Sequence, residues 1–244
     1  PVMALRDSLL LSQRSSTIAR QMSMIERELM ASIDWSELSE PSWDQHTVRQ
    51  EQWQLEYQDY VMFRIRQTMN DEPSEGQKDA LRQTIHGRGI HMLIARFNRT
   101  CAWVASHIVR SNNIQERVAI VNKFIRIAWH CYRQGNMESL CQIMFGLQSP
   151  WIARLQQTWE QVSLWELRAF EALRRFTSPR EQFAFLRYSM REAIETNIPS
   201  RRFSPLTTSS SPYVPFFGQF VSDLSAIDSL ASFVDASGMP NTMP

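Results

Sequence analysis

The chain has 244 residues and a net charge of +1, and its aromatic residues are 13 phenylalanines, 8 tryptophans and 5 tyrosines. The balanced charge gives no bulk electrostatic attraction to nucleic acid or to a membrane surface. With only 7 glycines and little β-branched alternation, the composition argues against a barrel or a Rossmann-type sheet and predicts an all-α fold.

The first part of the chain alternates predicted helices with polar breaks. Residues 1–16 are predicted to be a leader, and apolar residues at helical spacing begin after Ser16 or Thr17. A second helix is predicted over Gln50–Met69. It is followed at 70–79 by a polar run rich in turn-forming residues, which predicts a surface loop.

The middle of the chain has the clearest helical spacing. Apolar periodicity predicts helices over Ile90–Arg110 and Ile114–Gln134, and Gly135 suits a left-handed C-cap for the second. The next predicted helix is MESLCQIMFGL. Ser149 then provides an N-cap with proline at the first turn, and one helix is predicted through SPWIARLQQTWEQV.

The last third contains two further predicted helices. Ser178 and Glu181 have the spacing of a capping box before the helix QFAFLRYSMREAIE. Residues 197–215 are rich in serine, threonine and proline and predict a mobile linker. The segment Tyr213–Leu230 predicts a proline-rigidified entry, a pair of aromatic anchors and a short helix. In the helix QFAFLRYSMREAIE, the residues Phe183, Leu186, Met190 and Ile194 are predicted to form one face.

Sites for covalent or metal chemistry find no support in the sequence. The G-x-x-x-x-G-K-[ST] pattern of phosphate-binding loops is missing, as are HExxH and paired CxxC motifs, so no cofactor or metal is predicted. The adjacent pair His130 and Cys131 offers two metal-ligating types. Neighbours on a helix point about 100° apart, however, and core packing is the better interpretation.

Charged and aromatic residues have ordinary structural interpretations. Glu26 with Glu28, and Glu166 with Glu171, are candidates for acid–base pairs, but helix-surface charges are expected to be solvated. The tryptophans are expected to fill the core between helices, because no basic patch accompanies them as base stacking requires. No nucleic-acid partner is therefore predicted. The tryptophans are Trp35, Trp43, Trp53, Trp103, Trp129, Trp151, Trp159 and Trp165.

The cysteines and the chain start indicate a cytoplasmic domain. Cys101, Cys131 and Cys141 are odd in number and lack CxxC spacing, which predicts buried thiols in a reducing compartment. No apolar run approaches the roughly 18–20 residues that span a bilayer, so direct membrane insertion is not expected. The chain starts at Pro1 rather than at methionine, which suggests a domain excised from a longer protein.

Five stretches, in order along the chain, together resemble one known family. They are Gln21–Trp43 (QMSMIERELMASIDWSELSEPSW), Arg96–Val109 with RFN and WVASHIV, the helix RVAIVNKFIRIAWHCYRQGN, the run from Gly146 to Trp159, and Tyr213–Leu230 (YVPFFGQFVSDLSAIDSL). The combination is similar to the catalytic domain of Ras guanine-nucleotide exchange factors, the RasGEF family.

The resemblance implies a single helical bundle, here over residues 17–244, that binds a Ras-family small GTPase of the Ras, Rap or Ral type. Members of the family release GDP from the GTPase so that GTP replaces it. They do so without covalent chemistry, so the chain is not expected to be an enzyme in the covalent sense. The resemblance also implies a cytoplasmic protein that flanking domains recruit to a membrane.

The family's catalytic hairpin is carried over onto the last predicted helix. Phe216 matches the aromatic residue at the hairpin base, and Ser222 and Asp223 match a Thr-Asp or Thr-Asn pair. The apolar and acidic positions that wedge open the GTPase fall near Ser225 and Ser229. Neither serine supplies bulk or charge, and the nearest acid is Asp228, one residue away.

Four further residues are implied to meet the GTPase. Asn136 matches an asparagine after the central helix, and Gln182 and Phe183 match an Asn-Phe or Asn-Tyr pair, with glutamine in place of the usual asparagine. Trp129 lies on the central helix. A place for it in the core is the favoured alternative to a place at the interface.

Departures from the family leave alternatives open. The connection at 197–215 is longer than is usual in the family, and the chain ends at Pro244 before the returning helix of the hairpin, so the C-terminal part of the domain is expected to be missing. The resulting alternative is a catalytically silent scaffold that binds partners without exchange. A third possibility is an unrelated helical interaction domain.

Overall fold

The structure is a computed structural model and describes residues 10–39, 89–196 and 213–228. In these residues every regular element is helical, and an isolated parallel bridge pairs Asn136 with Val214. The prediction of an all-α fold is confirmed. The helices are α1 (Ser15–Ala31), α2 (Trp35–Ser39), α3 (Gly89–Arg110), α4 (Ile114–Arg133), α5 (Met137–Leu147), α6 (Pro150–Ala153), α7 (Gln156–Glu160), α8 (Leu164–Phe176), α9 (Ala184–Thr196) and α10 (Phe217–Asp228), with a 3₁₀ turn at Arg180–Gln182.

Helix α5 is the innermost element. Ten of its eleven residues are buried, and it packs against α1, α3 and α4. Gly146 allows α3 to approach closely, because a Cβ atom there would lie 2.8 Å from Val104 Cβ and 2.9 Å from the carbonyl oxygen of Cys101. The centre of the bundle is therefore built around a helix that is almost entirely buried.

Helix α4 is buried over a wide face. It begins at an N-cap in which Gln115 N donates to Asn113 Oδ1 at 2.9 Å. Ile120, Phe124 and Ile127 are fully buried, and so are Val121 and Ile125. The helix therefore contacts neighbours on several sides, and these are α1, α3, α5, α7 and α8.

The prediction of a single helix after Ser149 is wrong. Helices α6 and α7 are separated at Leu155, whose ψ of 61° lies outside the helical range. The indole nitrogen of Trp159 donates to the carbonyl oxygen of Ile152 at 3.0 Å and closes the corner between the two helices. Ser149 itself makes no side-chain capping bond.

The predicted capping box is also wrong. Ser178 Oγ accepts a hydrogen bond from Arg180 N at 3.3 Å and none from Glu181 N. Glu181, Gln182 and Phe183 have φ of 52°, 54° and 60°, so three consecutive residues are left-handed. Helix α9 therefore begins after a left-handed turn and not at the capping serine.

Burial was predicted wrongly for several large residues. Trp35 is 79% exposed, and Trp151 and Trp165 are also more exposed than buried. On α9, the predicted apolar face is buried unevenly, since Leu186 is buried but Ile194 is 62% exposed. The remaining tryptophans of the described residues, which pack half-buried against the core, are Trp103, Trp129 and Trp159.

The first described range begins inside the predicted leader. Helix α1 begins at Ser15, close to its predicted start, and Leu10 in the predicted leader is buried in the main core. The helix predicted over 50–69, the loop at 70–79 and the linker residues 197–212 lie outside the described residues, as do the side chains at positions 43 and 53. In the part of the chain that the structure describes, none of the helices combines the length and the apolarity that crossing a membrane requires.

Candidate functional site

The segment that enters α10 is fastened to the turn between α4 and α5. Gly135 ends α4 with φ of +73°, the left-handed C-cap that the sequence predicts. Val214 N donates to the Gly135 carbonyl oxygen at 2.8 Å, and Met137 N donates to the Val214 carbonyl oxygen at 2.8 Å. These two backbone bonds hold the start of α10 beside the N-terminus of the innermost helix.

Asn136 lies inside this fastening and is fully buried. Its Oδ1 accepts from Ser139 N at 3.0 Å and caps α5, while its Nδ2 donates to Ser23 Oγ at 3.0 Å and to Ser139 Oγ at 2.9 Å. In this chain Asn136 positions α5 and the backbone that leads into α10. Its implied contact with a partner stays a prediction.

Phe216 also points inward and is only 5% exposed. Its ring centroid lies 5.8 Å from that of Phe97, 6.1 Å from that of Phe145 and 5.2 Å from that of Phe183. Gly218 leaves room for the ring, because a Cβ atom there would lie 2.4 Å from Phe216 Cζ. The structure therefore makes Phe216 the anchor of α10, and its implied role at the base of the catalytic hairpin stays a prediction.

An apolar pocket of about 250 Å³ opens beside this anchor, between α3, α5 and α10. Among its described lining residues only Glu138 is ionisable, and the carboxyl group is itself almost fully buried. The remaining surface is carbon, which favours an apolar group over a charged one. The lining includes Leu93, Ile94, Phe97, Phe145, Phe217 and Val221.

Glu138 connects the pocket with a buried polar cluster. Its Oε2 accepts from the backbone N–H of Phe217, the first residue of α10, at 2.8 Å, and its Oε1 accepts from Gln142 Nε2 at 3.4 Å. Gln142 Nε2 also donates to Glu26 Oε1 at 3.1 Å, and Arg96 Nε donates to the same oxygen at 2.5 Å. The cluster therefore links α1, α3, α5 and α10.

The polar cluster holds two acidic groups and one guanidinium away from water. Glu26, Glu138 and Arg96 are all buried. Burial, and next the neighbouring Glu26, raise the pKa of Glu138 to about 8. With a proton on Glu138, the charges of Glu26 and Arg96 balance, so the neutral acid is the form that this environment favours.

The outer half of α10 faces solvent. Ser222 and Ala226 are exposed, and Ile227 is 62% exposed. The carboxylate of Asp223 accepts two hydrogen bonds from Arg187, with Nη1 to Oδ2 at 2.7 Å and Nη2 to Oδ1 at 2.6 Å. These bonds lower the pKa of Asp223 and keep its carboxylate ionised and tied to α9.

The left-handed turn before α9 adjoins this ion pair. Arg187 Nε donates to the carbonyl oxygen of Gln182 at 2.6 Å, and the side chain of Gln182 is exposed. Phe183 is half-buried against Phe216. Arg187 therefore joins the turn, α9 and Asp223 of α10, so the implied contact residue Gln182 lies on the same side-chain network as α10.

Trp129 is half-buried on α4, against the main core. Its ring centroid lies 5.8 Å from that of Tyr132 and 6.0 Å from that of Trp165. One side of the indole therefore contacts the core, which agrees with the favoured alternative of a place in the core. Its implied contact with a partner stays a prediction.

Other implied residues lie beyond what the structure describes. The side chains of Ser225 and Asp228 and all of Ser229 fall outside the described residues, so their implied wedge roles stay predictions. In the described ranges no group of three or more histidine, cysteine or acidic side chains could hold a metal ion. Burial raises the pKa of the Cys131 thiol, and the pKa of its neighbour His130 is lowered, chiefly by burial.

Sequence reasoning missed the ionic contacts of the site. Glu26 was expected to be solvated but is 0% exposed, and Glu166 is also buried and accepts from Arg126 Nε at 2.6 Å. Glu138 carried a usable signal, since it is the only charged residue in the otherwise mostly apolar helix MESLCQIMFGL. Arg187 carried no such signal in the sequence, because its partner Asp223 lies 36 positions away.

Comparisons with known proteins point to one family. The sequence profile of the RasGEF domain matches residues 17–242. "Guanine nucleotide exchange factor LTE1" of Kluyveromyces lactis is 26% identical over 211 residues, which cover 86% of this chain and 13% of that protein. "Ras guanine nucleotide exchange factor C" of Dictyostelium discoideum is 31% identical over 132 residues, covering 54% of this chain and 8% of that protein.

A third relative differs in the GTPase that its name gives. "Rap guanine nucleotide exchange factor 5" of Homo sapiens is 36% identical over 94 residues, which cover 38% of this chain and 16% of that protein. The chain therefore spans less than a fifth of the length of each of these three relatives. The shared part corresponds to a domain and not to the whole of any of them.

Proposed function

The chain belongs to the RasGEF domain family, and from this we propose that it binds a Ras-family small GTPase and promotes release of GDP so that GTP can load. The match of the family profile over residues 17–242 is the observation that supports the proposal. Exchange of this kind makes no covalent bond. It requires only that the protein bind the nucleotide-free GTPase more tightly than the nucleotide-bound form.

The arrangement around α10 suits such a role. Its base is fixed by Phe216 and by the Glu138 carboxyl, while Ile227 and Ser222 at its outer half are exposed. A helix whose base is fixed keeps its outer half in place, so binding a partner there needs less additional ordering. We propose that the outer half of α10 contacts the GTPase, and that an apolar side chain of the GTPase occupies the pocket beside Phe217.

The GTPase is proposed to be of the Ras, Rap or Ral type. The relative named as a Rap exchange factor supports testing Rap first, and the relative named as a Ras exchange factor supports testing Ras next. We further propose a cytoplasmic location, which fits the three free cysteines.

Release of a fluorescent GDP analogue tests the proposal. Purified chain is added to Ras, Rap and Ral proteins loaded with the analogue, and the decay of fluorescence is followed with excess unlabelled GTP. Acceleration with at least one GTPase is the expected result. Unchanged release from every member of the panel, with a folded protein by circular dichroism, would contradict an exchange activity.

A silent scaffold is the second candidate, and one contact favours it. Asp223, which matches a catalytic position of the family, has both carboxylate oxygens engaged by Arg187. If that pair persists in the complex, Asp223 offers the GTPase little additional charge. Tight binding of a nucleotide-free GTPase without faster GDP release would identify this alternative.

A further inference from the structure

A second cavity, of about 550 Å³, lies next to the left-handed turn, and most of the charged residues that line it are basic. It is formed where the C-terminal ends of α5 and α8 meet the start of α9. We call it the basic groove and define it by six of its lining residues: Gln148, Arg174, Arg175, Arg180, Glu181 and Phe185.

Two of the three arginines in the basic groove have charge available for a ligand. Arg174 pairs with Glu171, Nη2 to Oε2 at 2.7 Å, one helical turn away. Arg175 and Arg180 are exposed, and their side chains have no hydrogen bond or ion pair in the described part of the chain. Only Glu181 opposes them among the described lining residues, so the groove carries a net positive charge.

The basic groove also exposes apolar surface. Phe185 is 61% exposed although it is one of the largest apolar side chains of α9, and Pro179 and Ala184 lie next to it in the lining. Arginine combined with an exposed aromatic ring is the composition that is enriched in protein interfaces. A partner surface with acidic residues beside an apolar one complements both features.

The basic groove is continuous with the side-chain network of α10. Glu181, in its wall, is followed directly by Gln182, whose carbonyl oxygen accepts from Arg187. Arg187 in turn holds Asp223 of α10. The turn at Gln182 therefore adjoins the basic groove along the chain. A protein that contacts the outer half of α10 and this turn can also contact the groove.

We propose that the basic groove receives an acidic surface segment of the GTPase, with an apolar side chain of that segment against Phe185, and thereby selects which GTPase is served. The proposal rests on the proposed exchange function and names a determinant of partner choice within it. Arg175 and Arg180 act as attracting charges, so they speed association and favour GTPases that are acidic at this place.

A double charge reversal tests the groove. Arg175→Glu with Arg180→Glu is compared with Arg20→Glu with Arg168→Glu, which makes the same change of charge at exposed arginines that do not line the groove. The readout is kcat/KM for GDP release, together with binding of the nucleotide-free GTPase, at low and high salt. We expect the groove variant to lose about tenfold or more at low salt and to reverse its salt dependence, because the groove then repels an acidic partner, while the control stays within about twofold.

Each outcome decides the proposal. Equal behaviour of the groove variant and the control, in a chain that does accelerate exchange, overturns the groove and leaves the exchange function standing. Charge-dependent binding without exchange supports the groove and overturns the exchange function. Absence of both binding and exchange with every GTPase overturns both. If the variant instead loses only binding to vesicles with anionic lipids, the groove serves a membrane and the proposal is wrong.

Discussion

Glu138 touches both the buried polar cluster and the first residue of α10. Two buried acceptors near it, Glu26 Oε2 and Gln142 Oε1, have no hydrogen bond in the described part of the chain. A carboxylate only accepts hydrogen bonds, whereas a protonated carboxyl group can also donate one. Protonation of Glu138 therefore supplies a donor as well as removing a buried charge, and both effects favour the neutral acid.

The stability of the protein should consequently depend on pH. Because the pKa of Glu138 is raised from 4.5 to about 8 by burial and by Glu26, the folded chain holds a proton that the unfolded chain releases. We expect the free energy of unfolding to fall as pH rises through this range, by at most about 1.4 kcal/mol per pH unit. Chemical denaturation at a series of pH values measures the slope.

Glu138→Gln is the matching variant, since its neutral amide can still accept from Phe217 N. It should flatten the slope, whereas Glu160→Gln, a change at an exposed acid of α7, should leave the slope as it is. Identical slopes for the wild-type protein and Glu138→Gln would show that Glu138 is not the titrating group.

Arg187 acts on α10 from outside the core, and its loss should loosen the helix more than it destabilises the fold. The pair with Asp223 is partly exposed, so Arg187→Ala should cost less than about 1 kcal/mol of unfolding free energy. Since Arg187 lowers the pKa of Asp223, this contribution is present at neutral pH and is lost on acidification through that lowered pKa, below 3.8. Amide hydrogen exchange in α10 should nevertheless become faster, because α9 no longer holds it.

Arg187→Lys distinguishes the effect of the guanidinium's hydrogen-bond geometry on α10 from the effect of its positive charge. Lysine keeps the charge but cannot make both bonds to Asp223 together with the third bond to the Gln182 carbonyl oxygen, so it should not restore slow exchange. Arg191→Ala, at an exposed arginine of the same helix, is the control. Unchanged protection of α10 in Arg187→Ala would mean that the core anchors alone fix it.

At the scale of elements, the long helices followed from the sequence and the corners did not. Helices α3 and α4 begin and end within about a residue of their predicted bounds, because a 3.6-residue apolar period directly records which side is buried. The corner at Leu155 and the turn at 181–183 depend on contacts with other elements, which no local pattern contains. Likewise the resemblance located Asn136 and Phe216 but did not predict that both are buried.

The left-handed turn before α9 gives a prediction at the same scale. A non-glycine residue in this conformation costs roughly 1 kcal/mol, and glycine largely removes that cost. Glu181→Gly should therefore raise the unfolding free energy by about 0.5–1 kcal/mol, and Glu181→Val should lower it. Arg180→Gly is the control, because Arg180 is not among the residues with positive φ, and it should be neutral or destabilising. Equal effects of the two glycine variants on thermal melting would refute a strained turn.

At the scale of the whole molecule, α10 is divided between the core and the solvent. Its base is fixed by an aromatic cluster around Phe216, by the Val214 backbone bonds and by Glu138. Its outer half carries exposed Ile227, although a large apolar residue in solvent gains nothing for folding. The division separates what holds the helix from what is available to a partner, and substitutions at the two ends should therefore act differently.

The two ends of α10 can be tested separately with Phe216→Ala and Ile227→Ala, by measuring the unfolding free energy and the rate of GDP release. Phe216→Ala removes a buried ring and should lower the unfolding free energy by about 3–5 kcal/mol, and it should slow GDP release because α10 loses its anchor. Ile227→Ala should change stability by less than about 0.5 kcal/mol yet slow GDP release severalfold, since the lost contact is with the GTPase. Ile194→Ala on α9 is the matched control, because Ile194 and Ile227 are both 62% exposed. If Ile227→Ala releases GDP as fast as Ile194→Ala at equal thermal stability, the outer half of α10 is not the surface that meets the GTPase.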